Sequence, residues 1–119
     1  MRDLAIAYGN SCSAKNWSNK IIRFEELCSR LEHTIRTSET VEEYPKLPKA
    51  ERDRVKDKGG FVGGHLKDNR RKRENVAYRS MLTHDADHAD KDFISRYEAA
   101  HKYASCLYTT HGHTPEAPR

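Results

Sequence analysis

The sequence contains no long apolar run, and its three cysteines, Cys12, Cys28 and Cys106, are far apart. A membrane-spanning helix needs about 20 consecutive apolar residues, so the sequence predicts neither such a helix nor a signal peptide. An odd number of widely spaced cysteines fits neither a disulfide framework nor a paired metal-ligand motif, and it is typical of a reducing compartment. We therefore expect a cytoplasmic protein that does not associate with a membrane.

Apolar residues are scarce as well: 35% of the 119 residues are hydrophobic and 34% are charged. This length and composition predict one small domain, spanning residues 1–119, with a thin core. The formal net charge of +4 excludes an acidic mimic of DNA, and it favours nucleic acid or another acidic partner.

Apolar spacing and turn residues predict a chain that alternates between strands and helices. The predicted strands cover residues 3–8, 20–23, 75–82 and 104–110, and the predicted helices cover residues 24–33, 49–58 and 91–102, the last capped by Asp90. This order indicates an α+β fold with a small mixed or antiparallel sheet flanked by helices. Trp17 is either a core anchor, which we favour, or a platform for a base.

The most chemically distinctive stretch is the pair Asp85-x-Asp87, which follows an apolar lead-in and has His84 and His88 beside it. On an extended segment the two carboxylates point to the same side, and a divalent cation would offset their repulsion. The alternative is a solvated turn that caps the next helix. The spacing alone favours this alternative.

A dense basic run, Arg70-Arg71-Lys72-Arg73, precedes this pair, with Lys67 and Arg79 on either side of it. Four adjacent cations repel one another unless an anion screens them, so a nucleic-acid or triphosphate partner and a plain solvated loop are about equally favoured. The glycine pairs of residues 59–64 predict either a phosphate cradle or a flexible hairpin or hinge. His111 and His113 are either ligands for a phosphate or metal, or exposed loop residues.

The order of these motifs along the chain resembles that of a known domain. The order is strand, Lys-Asp-x-Gly-Gly-Phe-Val-Gly-Gly, basic run, strand, Asp-x-Asp, helix, strand, Thr-Thr-His. The known domain is the primase-polymerase domain of phage and mobile-element replication proteins in the archaeo-eukaryotic primase superfamily. The resemblance covers nearly the whole chain. It implies that Asp85 and Asp87 bind a catalytic Mg²⁺ or Mn²⁺ ion, and that His111 contacts the phosphates of an incoming nucleotide. The phosphate-binding role of Arg70, Arg71, Lys72, Arg73 and Arg79 rests instead on charge and location.

The sequence departs from that family pattern in two places. His84 stands where an aliphatic residue is expected, and the chain reaches Arg119 where the family continues with a third catalytic carboxylate. We therefore expect an incomplete domain that is weak or inactive as a polymerase alone, and whether it is an enzyme stays open. Missing sheet partners would leave an open edge that favours self-association.

Two functions follow from this reading. The first is a module that binds nucleic acid or nucleoside triphosphate and derives from a phage or mobile-element DNA primase. The alternative is a small non-enzymatic mobile-element protein that inhibits a host defence nuclease, in the manner of an anti-CRISPR, by binding the nuclease or its nucleic acid. Replacing Asp85 and Asp87 should impair only the first function, whereas reversing charge at Arg70 to Arg73 should abolish the second. A histidine-rich metal hydrolase is less favoured, since the histidines follow no recognised ligand spacing.

Overall fold

The computed structural model describes residues 3–119, which form two compact units; the first ends at Thr83 and the second is His84–Arg119. The predicted α+β class is confirmed, with small antiparallel sheets and three α-helices in the part of the chain described. Its elements are β1 Leu4–Gly9, β2 Ser18–Ile22, α1 Phe24–Glu32, α2 Lys49–Lys56, β3 Gly60–Val62, β4 Gly64–Leu66, β5 Val76–Arg79 and α3 Phe93–Ala100. None of the helices within residues 3–119 is long and apolar enough to cross a membrane.

Strand β1 is the centre of the first unit, because it pairs antiparallel with β2 on one side and with β3 on the other. Its sequence is apolar at consecutive positions, which suits a strand covered on both faces. Alternation places Ile6 on one face and Ala5 and Ala7 on the other, and all three side chains are buried. This strand therefore divides the core of the unit into two clusters.

Helix α1 covers the Ile6 face. Leu27 is buried against Ile6 and Ile22, and Leu31 packs at the edge of the same cluster. The helix begins at Phe24, as predicted, and it ends at Glu32, one residue before the predicted end. The helical spacing of its apolar residues thus explains both where the helix lies in the sequence and which of its faces is buried.

The opposite face of β1 is covered by Trp17 and by the second sheet, in which β4 pairs antiparallel with β5. Trp17 is only 3% exposed, and its Nε1 donates a hydrogen bond to the Ala14 carbonyl at 3.0 Å. The Asn19 side chain joins the sheets, since its Nδ2 donates to the Leu66 carbonyl at 2.8 Å and its Oδ1 accepts from the Leu66 amide at 2.9 Å. Trp17 is therefore a core anchor, which is the alternative that the sequence favoured.

Several predicted elements are shorter than expected. Strand β5 ends at Arg79, and Ser80 then donates from Oγ to the Ala5 carbonyl at 2.7 Å. Helix α2 ends at Lys56 because Asp57 turns away to bind the loop after β1. In the second unit, α3 begins at Phe93 rather than at residue 91.

Two expectations about the second unit are wrong. Residues 104–110 do not form a strand, because no described segment pairs with them and an unpaired strand leaves its backbone groups unbonded. Asp90 is not the N-cap of α3: Asp92 occupies that position, and Asp90 accepts hydrogen bonds from the Asp92 amide and from Arg96, each at 3.0 Å.

Candidate nucleic-acid interface

The basic segment, defined here as residues 67–73, connects β4 to β5 in the first unit. It begins with a short 3-10 turn, Lys67–Asn69, in which Asp68 and Asn69 have left-handed φ angles of 56° and 51°. Asparagine and aspartate tolerate this conformation better than most residues, so their presence fits the turn. Arg79 lies opposite Gly64 at the other end of the β4–β5 pair. Since a strand rises roughly 3.3 Å per residue, Arg79 is about 10 Å from the start of the basic segment.

The backbone of the basic segment is held by contacts to the core. The Asn69 carbonyl accepts a hydrogen bond from the Trp17 amide at 2.8 Å, and the Asn69 side chain accepts one from Asn19 at 3.1 Å. Further along, the Arg70 carbonyl accepts a bond from the Asn75 side chain at 3.3 Å. Because the backbone of the loop is already fixed by these contacts, binding would cost little further backbone entropy.

Every residue of the basic segment is exposed. Arg70, Lys72 and Arg73 form no ion pair with any residue that the structure describes. Some other cations of the chain are partnered: Lys49 binds Asp53 at 2.9 Å, for example, and Arg96 binds Asp90 at 3.0 Å. The segment therefore carries five cations against one carboxylate, Asp68, and none of these five is in an ion pair among the described residues.

Arg71 differs from its neighbours because it contacts the core. Its Nη1 donates a hydrogen bond to the Cys12 carbonyl at 3.3 Å, and its guanidinium lies 5.4 Å from the centroid of the Trp17 ring. A guanidinium over an indole face is attracted by the ring electrons. Arg71 thus adds charge to the surface while it also packs against the loop that follows β1.

Packing requires two glycines of the stretch at residues 59–64, Gly59 and Gly64. Gly59 has a φ of +88°, and a Cβ there would strike the Gly9 carbonyl oxygen; a Cβ on Gly64 would strike the Tyr78 carbonyl oxygen. The two halves of the stretch are strands of different sheets, so the predicted hairpin is not formed. Close approach of backbones accounts for these glycines without a bound phosphate.

Asp85 and Asp87 lie in the second unit, outside the strands of the described chain. Asp87 is in a turn with His88, whose φ is 59°, and its Oδ1 accepts a hydrogen bond from Arg119 at 2.7 Å. That bond, and the charge of the guanidinium, hold the pKa of Asp87 below its usual value. The pKa of Tyr108 is raised above its usual value, mainly by burial, and the negative charge of Asp85 raises it further.

Within residues 3–119, no three histidine, cysteine or carboxylate side chains come together as a possible metal site. Of the two carboxylates expected to bind a divalent cation, Asp87 is already bound to Arg119. Metal binding by Asp85 and Asp87 stays a prediction, as does nucleotide binding by His111, which is half-buried in a turn rather than at the end of a strand.

One group of polar residues could not be found from local patterns in the sequence. Tyr8 pairs with Ser18 across β1 and β2, and Lys20 pairs with Ile6, so the side chains of Tyr8, Ser18 and Lys20 share the face that α1 covers. Arg30 of α1 lies beside them, and together they line a cleft. Only the strand register reveals the group, because its members are up to 22 positions apart.

No curated protein and no solved structure matches the chain. Among protein-family models, the one described as the VapE N-terminal domain matches residues 1–119. Since this match spans the entire sequence, the chain belongs to the VapE N-terminal domain family.

Proposed function

We propose that this domain is a nucleic-acid-binding module of a mobile-element protein, and that the basic segment is its contact with the phosphate backbone. The observation that carries the proposal is the set of exposed cations, Arg70, Lys72 and Arg73, that have no ion pair among the described residues. Cations of this kind release counterions when they meet phosphates, and this release supplies most of the affinity in sequence-independent binding.

The backbone contacts of the segment support the same proposal. Asn69 is bound to Trp17 and Asn19, so the loop is held to the core at its start. Contacts to phosphates position a nucleic acid but carry no sequence information. We therefore expect binding that depends strongly on salt and weakly on base sequence.

This contact does not need a divalent ion. Binding by Arg70, Lys72 and Arg73 should persist in EDTA, whereas a site built on Asp85 and Asp87 with magnesium would lose its ligand. Descent from a primase, and any role in replication, remain proposals that rest on the order of motifs.

The test is a charge-reversal experiment on the full chain, measured by fluorescence anisotropy with labelled single- and double-stranded DNA. The variant R70E/K72E/R73E should bind more weakly by roughly two orders of magnitude near 0.1 M salt, and the slope of log K against log salt should fall by roughly 3. Arg71 is left unchanged because it contacts Trp17 and Cys12.

A matched control is K46E/R54E/K58E, which makes the same change in net charge on the first unit. These three cations are also exposed and have no ion pair with a described residue. Circular dichroism should show that both variants are folded, and the control should keep most of the affinity. An equal loss in the two variants would mean that the overall charge, rather than the basic segment, determines binding.

A further inference from the structure

The Tyr8 cleft, defined here by Tyr8, Ser18, Lys20 and Arg30, lies at the end of β1 on the face that α1 covers. Asn10 and Asn16 complete its lining, and its volume is about 250 Å³. Four of these six side chains are neutral hydrogen-bonding groups and two are cations. Such a lining suits a small anion better than an apolar ligand.

Two cations flank the Tyr8 ring. The Lys20 Nζ lies 5.7 Å from the ring centroid, and the Arg30 Cζ lies 4.9 Å from it. Arg30 also donates from Nη2 to Glu26 at 2.7 Å, but a guanidinium has five N–H donors and this bond uses one. Lys20 forms no ion pair with a described residue, so the cleft keeps a positive charge.

The Tyr8 hydroxyl is buried and has no hydrogen-bond partner among the described residues. A buried donor without a partner costs free energy, and such groups in folded proteins usually have a water, ion or ligand as partner. Burial raises the pKa of the Tyr8 phenol from its usual value, although the charge of Arg30 opposes this shift.

We propose that the Tyr8 cleft binds a phosphate dianion, either as free phosphate or as the phosphate monoester of a mononucleotide. Lys20 and Arg30 would neutralise the charge, and, once their side chains turn from the Tyr8 ring toward the anion, the buried Tyr8 hydroxyl would donate to one oxygen. The cleft is separate from the basic segment, which follows β4 on the opposite face of β1. Failure of this proposal would therefore leave the nucleic-acid contact untouched.

The experiment is an NMR titration of the full chain with inorganic phosphate, at constant ionic strength maintained with chloride. Saturable shifts are expected for the Tyr8 ring and for the amides near Lys20 and Arg30. In K20Q/R30Q the apparent Kd should rise by roughly tenfold or more, since two charge-assisted contacts are lost. In Y8F the ring is kept and the hydroxyl removed, so binding should weaken without loss of the fold.

The matched control is K15Q/R23Q. It also removes two cations from the first unit, and Arg23, like Arg30, has a carboxylate partner, Glu25 at 3.7 Å. This variant should bind phosphate as the unmodified chain does.

Titrations with adenosine monophosphate and with adenosine distinguish free phosphate from a mononucleotide as the natural ligand. If the nucleotide binds more tightly than phosphate and adenosine does not bind, the ligand is a mononucleotide. Shifts that do not saturate, or that persist unchanged in K20Q/R30Q, would overturn the proposal.

Discussion

Asp57 shows how one side chain can fix the edge of the proposed nucleic-acid-binding surface. It accepts hydrogen bonds from the Ser11 hydroxyl at 2.7 Å and from the Cys12 amide at 2.9 Å, 46 and 45 positions earlier in the chain. The Cys12 carbonyl in turn accepts the bond from Arg71. The loop after β1 is therefore held on one side by the end of α2 and on the other by the basic segment.

Acid titration should expose this contact. The hydrogen bond from Ser11, followed by that from the Cys12 amide, lowers the pKa of Asp57 from 3.8 to about 2. A carboxyl group with a lowered pKa in the folded state stabilises the fold fully above its unfolded pKa, and this stabilisation is lost as the pH falls through the folded pKa. D57A should thus have a lower Tm than the unmodified chain at pH 7, and the difference should shrink between about pH 4 and pH 2.

The control for this measurement is D53A. The pKa of Asp53 is also lowered to about 2, by hydrogen bonds from Lys56 and Lys49, but these partners lie on the same exposed helix. Exposed pairs within a helix contribute little, so D53A should change the Tm less than D57A. A loss in D57A that is the same at every pH, or a larger loss in D53A, would show that the bonds of Asp57 do not stabilise the fold.

At the scale of elements, local patterns in the first unit predicted some elements well and missed others: strands β3 and β4 were not predicted. Strand β1 and helices α1 and α2 lie within two residues of their predicted bounds, because apolar spacing and turn residues act over short distances. Residues 104–110 have the composition of a strand, but a strand needs a neighbour, and the sequence does not say which segments pair.

The glycine pairs also belong to this scale, and they give a direct test of packing. G59A should destabilise the fold by about 1–3 kcal/mol, because it combines a left-handed φ with a clash against the Gly9 carbonyl. G60A is the control: nothing lies within 4 Å of the position of its Cβ, so the free energy of unfolding should barely change. Urea denaturation gives both values. Similar stabilities, together with loss of phosphate binding in G59A alone, would favour a phosphate cradle instead.

For the whole molecule, composition predicted the thin core that the structure has. The buried apolar residues of the described chain are few, and all of them belong to the first unit. In the second unit, Ile94 is 56% exposed and Tyr103 is 87% exposed. The basic segment could be found in the sequence because its cations are adjacent, whereas the Tyr8 cleft could not, because folding brings Tyr8, Lys20 and Arg30 together from β1, β2 and α1.

Mapping bound DNA onto the full chain would show whether residues 67–73 contact the nucleic acid. An isotope-labelled sample should be titrated with a short single-stranded oligonucleotide in EDTA, and amide shifts followed by NMR. We expect saturable shifts that are largest in residues 67–73 and that weaken steeply as salt rises. Shifts centred on residues 84–90, with the basic segment unchanged, would contradict it.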